Sequence, residues 1–364
     1  MRMGSQRRVG SAKWRVDGPR ILTLMDAVGP SLNPPRIPLQ LVEKSLWREW
    51  DVLVDIRRAL DGIAPAMEID VRMDVDAQFV VAHGAKSLSG KPVVDCRVSD
   101  LPGAASLGSA LDLLACHPDK RLVIEIKTLG FEPDMRANAL RFAEAVERAG
   151  VSRRVSVSSL SPEILMNVHS VWPEVPLILN GALAPIISYP SGKVGRFLVR
   201  RLSSGRGYWY LPYRDAALVI SRGDSVREAI HAHEKTTVLG ETVYVLAAIP
   251  EDLLEVLQEQ KVNGAGFGGA ISIANTSAWC NVLRLVGASS AASRISREII
   301  GVVHNLGINV QTTTWGAINS PAKTRKWLPA EQINHMVADG IGSSDVIYTR
   351  GIDSAMVSAI RSTS

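Results

Sequence analysis

The chain has 364 residues, carries 41 Lys+Arg against 36 Asp+Glu for a formal charge of +5, and is 46% hydrophobic. With 21% charged residues and eight Trp its composition is that of a folded globular protein rather than a disordered one, and no stretch reaches the roughly 18 uninterrupted apolar residues of a membrane span. Cys96, Cys116 and Cys280 are too few and too widely spaced for a disulfide framework or a CxxC zinc site, so a reducing, cytoplasmic setting is expected.

Residues 1–18 hold Arg2, Arg7, Arg8, Lys13 and Arg15, with no acid before Asp17 and no apolar stretch of the secretory kind. They are expected to form a mobile basic arm, with an organelle transit peptide as the alternative. From Arg20 onward short apolar runs alternate with helical patterns, the rhythm of parallel strands joined by helical crossovers. The predicted strands are Arg20 to Leu24, Ala66 to Val71, Arg121 to Lys127, Arg154 to Ser159, Val175 to Asn180, Thr242 to Ile249 with Ala265 to Ile273 near it, Ile308 to Thr314, and Asp345 to Thr349. Predicted helices include Leu39 to Leu60, where Val42, Leu46, Trp50, Leu53 and Leu60 recur at helical spacing, and Pro133 to Ala149, closed by Gly150. Close to eight strands favour an α/β fold of the (β/α)₈ TIM-barrel type over an open doubly wound sheet, in a single domain over residues 19–364.

Residues 182–237 break the rhythm and read as a cap inserted after about the fifth strand. Lys193, Arg196, Arg200, Arg201, Arg206 and Arg214 interleave there with Phe197, Tyr208, Trp209, Tyr210 and Tyr213. On the C-terminal face of a barrel such a segment binds an anionic, partly apolar substrate or touches a membrane surface; Arg200, Arg201 and Tyr208 are its candidate substrate contacts. An amphipathic helix whose Arg stems cover core edges is the plainer reading. A nucleic-acid partner is not expected, because the net positive charge is small.

The chemistry concentrates in Met67-Glu68-Ile69-Asp70-Val71-Arg72-Met73-Asp74 and the following Phe79-Val80-Val81-Ala82-His83-Gly84. On a strand, residues two apart share a side, so Glu68 and Asp70 present two carboxylates in one direction, and like charges that close need a cation. Leu122-Val123-Ile124-Glu125-Ile126-Lys127 repeats the device with Glu125 and Lys127. Three carboxylates on neighbouring strand ends make a hard-oxygen site for one divalent cation, Mg²⁺ or Ca²⁺, with Lys127 holding a phosphate oxygen and His83 carrying a proton. Gly264-Ala-Gly-Phe-Gly-Gly269 lacks the Lys-Ser/Thr of a P-loop and reads as a barrel strand and turn. His231 and His233, two apart on a helical pattern, read as a solvated helix end.

Glu-x-Asp, then Val-Val-x-His, then Ile-Glu-Ile-Lys resembles the glycerophosphodiester phosphodiesterase superfamily, which includes the sphingomyelinase D-like phospholipases. Val155 to Leu160 is similar to its Ser-Phe strand, Val310 to Trp315 to its late Trp-containing strand, and Met336 to Thr349 to its ending. The resemblance implies a (β/α)₈ barrel that cleaves a small phosphodiester built on a sugar, glycerol or lipid headgroup. It implies that Glu68, Asp70 and Glu125 ligate the cation, that His83 is an acid/base residue and that Lys127 contacts phosphate. Trp315 either packs over the substrate, as that superfamily's late Trp does, or fills the core. The first predicted strand, Ile21 to Gly29, lacks the His-Arg-Gly and Pro-Glu-Asn-Thr runs of the superfamily, and Asp26 is the candidate substitute for its missing His. His83 is followed by Gly84, as in the sphingomyelinase D-like branch, rather than by Asp. Hydrolysis or internal transphosphorylation of a phosphodiester is the expected reaction. A sugar-phosphodiester synthase or transferase of the agrocinopine type and a non-catalytic barrel that binds phosphorylated ligands are the alternatives.

Overall fold

A computed structural model describes residues 21–23, 40–44, 52–83, 90–128, 130–131, 134–182, 216–219, 242–245, 250–263, 267–274, 304, 307–313, 345–349 and 354. Its strands in chain order are β1 Ile21–Thr23, β2 Gln40–Lys44, β3 Ala66–Met73, β4 Phe79–Val81, β5 Ala105–Ser106, β6 Arg121–Ile126, β7 Val155–Ser159, β8 Leu177–Ala182, β9 Ala216–Val219, β10 Thr242–Val245, β11 Ala270–Ala274, β12 Asn309–Thr313 and β13 Val346–Thr349. The helices among these residues are α1 Val52–Asp61, α2 Leu107–Ala115, α3 Met135–Arg148, α4 Pro162–Val171 and α5 Glu251–Val262.

Parallel pairings run from β2 to β3, β6, β7, β8, β11, β12 and β13 in turn. β13 then pairs in parallel with β2, with Tyr348 beside Val42, so the eight strands are linked in a ring of pairings. Strand alternation divides their side chains between two cores. Met67, Ile69, Val71, Leu122, Ile124, Ile126, Val155, Val157, Leu177, Leu179, Ile271 and Val310 pack outward against helix residues such as Ile56, Leu60, Leu111, Phe142, Leu165 and Leu257. Ala66, Val123, Ile178, Ala270, Val346 and Tyr348, with Phe267, form the inner cluster.

Local chemistry sets the helix ends. Ser106, Asp134 and Ser161 each accept from a backbone N–H of the first turn of α2, α3 and α4, and Pro162 occupies the opening position of α4, where its missing N–H costs nothing. At the N-terminal ends of β6 and β7, Arg154 donates to the carbonyls of Leu114 (2.8 Å) and His117 (2.7 Å), and Lys120 to those of Gly62 (2.6 Å) and Ala64 (3.0 Å), so two cations satisfy carbonyls where helices end. Gln260 of α5 clamps the start of β8, donating to Val175 O and accepting from Leu177 N, both at 2.7 Å.

Seven of the barrel strands coincide with predicted ones, and the first does not. Ile21–Thr23 pairs antiparallel with β9, and Thr242–Val245 pairs parallel with β9, in a separate three-stranded sheet. The first barrel strand is instead Gln40–Lys44, inside the stretch predicted as a helix, and the helix begins at Val52. Leu39-Gln40-Leu41-Val42 is apolar at two-residue and at helical spacing alike, and so short a run cannot separate the periods. Pairing on both edges, to β13 and to β3, supplies the hydrogen bonds that decide for the strand. The fifth barrel strand, β8, ends at Ala182 and the sixth, β11, starts at Ala270, and β9 and β10 between them belong to the other sheet. Of the predicted cap, residues 216–219 are described; the N-terminal arm lies outside the described residues. Among the described residues no helix is long and apolar enough to cross a membrane.

Candidate metal and phosphate site

The inner face of β3 carries Ala66, Glu68, Asp70 and Arg72 in alternation, and the inner face of β6 continues from Val123 through Glu125 to Lys127. The register sets Asp70 beside Glu125. Glu68, Asp70 and Glu125 are 2%, 0% and 5% exposed, so all three carboxylates are out of water. One carboxylate oxygen from each lies within 4.8 Å of the others. Lys127 Nζ is 2.7 Å from Asp70 Oδ1 and also pairs with Glu125. Burial alone would lower the Lys127 pKa, but the charges of Asp70 and Glu125 outweigh it and hold the ammonium above its ordinary value.

Lys127 is the one ammonium that pairs with any of these three carboxylates among the described ion pairs, so the buried cluster is rich in negative charge. Asp70 Oδ2 is buried and accepts no hydrogen bond among the described residues. A buried carboxylate oxygen in that position is costly unless a cation meets it, and an all-oxygen set of carboxylates is what Mg²⁺ or Ca²⁺ takes. The residues therefore fit one divalent ion.

His83 reaches the same end of the barrel by a hairpin. β2 leaves the edge of β3 after Lys44 pairs with Glu68, and β4 takes that edge over, with Val71 opposite Val81 and Met73 opposite Phe79. Asp74, buried in the turn, accepts from the backbone N–H groups of Asp76 (2.9 Å), Gln78 (2.8 Å) and Val98 (3.1 Å), which fixes the return. Ala82 N donates to Asp70 O at 2.9 Å, and Arg72 Nη2 donates to His83 O at 2.9 Å. The half-buried His83 is thus held beside the carboxylate strand.

The far wall holds polar residues that spacing alone did not single out. Tyr348 Oη donates to Gln311 Oε1 at 2.5 Å, and Gln311 Nε2 donates to Phe267 O at 2.6 Å, all within the core. Burial, and then the charges of Glu68 and Glu125, push the Tyr348 phenol well above its usual pKa, so it stays a neutral donor. Ser158 stands in register with Glu125, and Ser272 with Gln311. The signal for these was a polar residue within an otherwise apolar late strand, Gln311 after Val310 and Tyr348 after Ile347, which becomes informative only once the inner face is known.

The structure thus brings together Glu68, Asp70, Glu125 and Lys127, with His83 at the same end. Asp26, Arg200, Arg201, Tyr208 and Trp315 lie outside the described residues, as do His231 and His233. The ground for Asp26 changes, because β1 belongs to the small sheet and the first barrel strand ends at Lys44. Gly268 and Gly269 form the turn into β11, in keeping with the structural reading of the glycine-rich run.

No family model matches the chain, and no curated protein does. Among solved structures it is similar to a glycerophosphodiester phosphodiesterase from Parabacteroides distasonis, at 13% identity and a TM-score of 0.49 over 90% of this chain and 99% of that one. It is similar to a glycerophosphodiester phosphodiesterase from Thermotoga maritima at 14% identity and a TM-score of 0.41, over 85% of this chain and 94% of that one. A third, an Oleispira antarctica phosphodiesterase in complex with the product sn-glycerol-3-phosphate, has 15% identity and a TM-score of 0.32 over 60% of this chain and 96% of that one.

Proposed function

We propose that this parallel barrel is a metal-dependent enzyme that processes a small phosphodiester. The observation that carries the reading is the buried cluster of Glu68, Asp70 and Glu125 with Lys127 seated against it. Glu68, Asp70 and Glu125 would hold one divalent cation, which when bound offsets their charge and draws electron density from a phosphoryl group.

The chain's own groups divide the remaining work. Lys127 steadies a non-bridging phosphate oxygen through its ammonium, a point charge on a flexible stem. His83 takes the proton of an attacking hydroxyl or returns one to the leaving alkoxide, a role an imidazole can fill with either ring nitrogen. The barrel wall keeps bulk water from the deep side of the cluster, where the phenol of Tyr348, neutral and donating to Gln311, adds no further charge. Where the substrate carries a hydroxyl next to the phosphate, its oxygen attacks phosphorus as the bond to the other alcohol breaks, giving a cyclic phosphate and a free alcohol that takes up a proton, because a neighbouring nucleophile is already positioned. Where an alcohol takes the place of water, the same groups perform transfer.

A screen of glycerol, sugar and lipid-headgroup phosphodiesters, with Mg²⁺ or Ca²⁺ and product identification by phosphorus NMR, tests this. A monoester reports hydrolysis, a cyclic product reports internal attack, and a new diester reports transfer. His83→Ala is expected to abolish whichever reaction the parent performs. A parent that binds phosphorylated ligands and turns none of them over would sink the enzymatic reading and leave a binding barrel.

A further inference from the structure

We propose that Arg72 is a further substrate-binding residue, which with Lys127 forms a two-cation lip over the carboxylate cluster and takes the non-bridging oxygens of a phosphodiester. This rests on the function proposed above. Alternation along β3 puts Arg72 on the face of Glu68 and Asp70, one step nearer the C-terminal end. The register of Asp70 with Glu125 and Val71 with Ile126 continues through Lys127 N, which donates to Val71 O at 3.0 Å, and so sets Arg72 beside Lys127. Two cations on adjacent strands therefore sit one layer beyond the carboxylates.

The deep end of the barrel is filled by Ala66, Val123, Ile178, Ala270 and Val346 with Phe267, so a ligand comes in from the C-terminal end. It meets Arg72 and Lys127 before the carboxylates. Arg72 is half-buried, and its Nη2 donates to His83 O at 2.9 Å, which ties the guanidinium to the segment that carries the proposed proton carrier. Charge balance favours the same assignment. Counted over these described groups alone, three carboxylates, Lys127, Arg72 and one divalent cation would sum to a single positive charge, which a phosphodiester monoanion neutralises, and Arg72 raises the local attraction for such an anion. The planar fork of a guanidinium also matches paired phosphate oxygens, and a brace for one carbonyl would need only a neutral donor.

The test uses calorimetry on the full chain, with inorganic phosphate as probe at saturating Mg²⁺ and with Mg²⁺ alone. Arg72→Gln removes the charge and leaves a polar N–H donor on a shorter stem; Arg72→Met removes both charge and donor. Each is expected to weaken phosphate binding by about tenfold or more, the loss of one charge-assisted hydrogen bond, while Mg²⁺ affinity stays within about twofold of the parent. Arg72→Gln with parental phosphate affinity overturns the assignment and leaves Arg72 as a brace for His83. Two variants that fail to fold, or that lose Mg²⁺ together with phosphate, make Arg72 a structural residue and overturn it equally. A parent that binds neither Mg²⁺ nor phosphate strikes at the proposed function itself, whereas a parent that binds both beside an unaffected Arg72→Gln sinks only this inference.

Discussion

Replacing Lys127 by Met keeps the length of the side chain and takes away the ammonium that faces Asp70 and Glu125. At 2.7 Å from Asp70 Oδ1 and an effective dielectric of about 20, attraction to that one carboxylate is roughly 6 kcal/mol. Desolvation of the ions takes most of it back, and removing one partner of a buried pair costs about 3 to 5 kcal/mol net, since the other charge is left uncompensated. An unfolding entropy of about 2.1 cal/mol/K per residue amounts to about 0.8 kcal/mol/K for this chain, so Lys127→Met in a chelator should melt about 4 to 7 °C below the parent. Mg²⁺ then becomes the test of cause. A ligand at about 100 times its Kd returns about 2.7 kcal/mol, and it should return more to the variant, where no ammonium competes for the carboxylates, so the gap between the two proteins narrows. Melting by calorimetry or circular dichroism, with and without Mg²⁺, reads both quantities. Equal melting temperatures in chelator, or a gap that Mg²⁺ leaves unchanged, would refute the view that Lys127 is the internal counter-charge of the cluster.

Glu125→Gln should weaken divalent-ion binding by at least about tenfold while the far-ultraviolet spectrum stays that of the parent, because it removes one charged ligand and little volume; unchanged affinity by calorimetry would remove Glu125 from the ligand set. Gly269→Ala should lower stability by about 1 to 3 kcal/mol in urea unfolding, since Gly269 sits at φ +62° and an added Cβ would meet the backbone of Lys261 and lie 2.6 Å from Leu257 O. His117 is bonded to Leu113 O at 2.8 Å and to Asp61 Oδ1 at 3.0 Å, and these two partners hold its pKa above the ordinary value. The stability it contributes is present in full below about pH 6.5 and is lost as pH rises through the raised folded-state pKa, so urea midpoints at pH 5.5 and 8.5 should differ less in Asp61→Asn than in the parent.

Much of the site was legible in the sequence because it depends on local rules. Glu68 and Asp70, and Glu125 and Lys127, are each two apart on strands, and alternation alone puts each pair on one side. The helix Pro133 to Ala149 was legible for a similar reason, with a capping Asp134 at one end and Gly150 at φ +69° at the other. Gln40–Lys44 was not, because its few residues satisfy two periods, and its identity as a strand comes from partners at opposite ends of the sequence, Ala66–Glu68 and Val346–Thr349. Nor were Tyr348 and Gln311, whose polar atoms find each other across β12 and β13, or the bond from Arg72 to the His83 carbonyl, which exists because β4 takes the edge that β2 vacates.

The sequence by itself determined which side chains share a face of a strand and where a well-capped helix such as Met135–Arg148 starts and stops, since both follow from backbone geometry within a few residues. Only the tertiary structure decided which strands are neighbours. That choice turned Ile21–Thr23 away from the barrel, brought Glu125 beside Asp70, and made three separate carboxylates into one buried cluster, because hydrogen-bonded pairing of both edges of every barrel strand is a condition on the whole ring that no local segment contains.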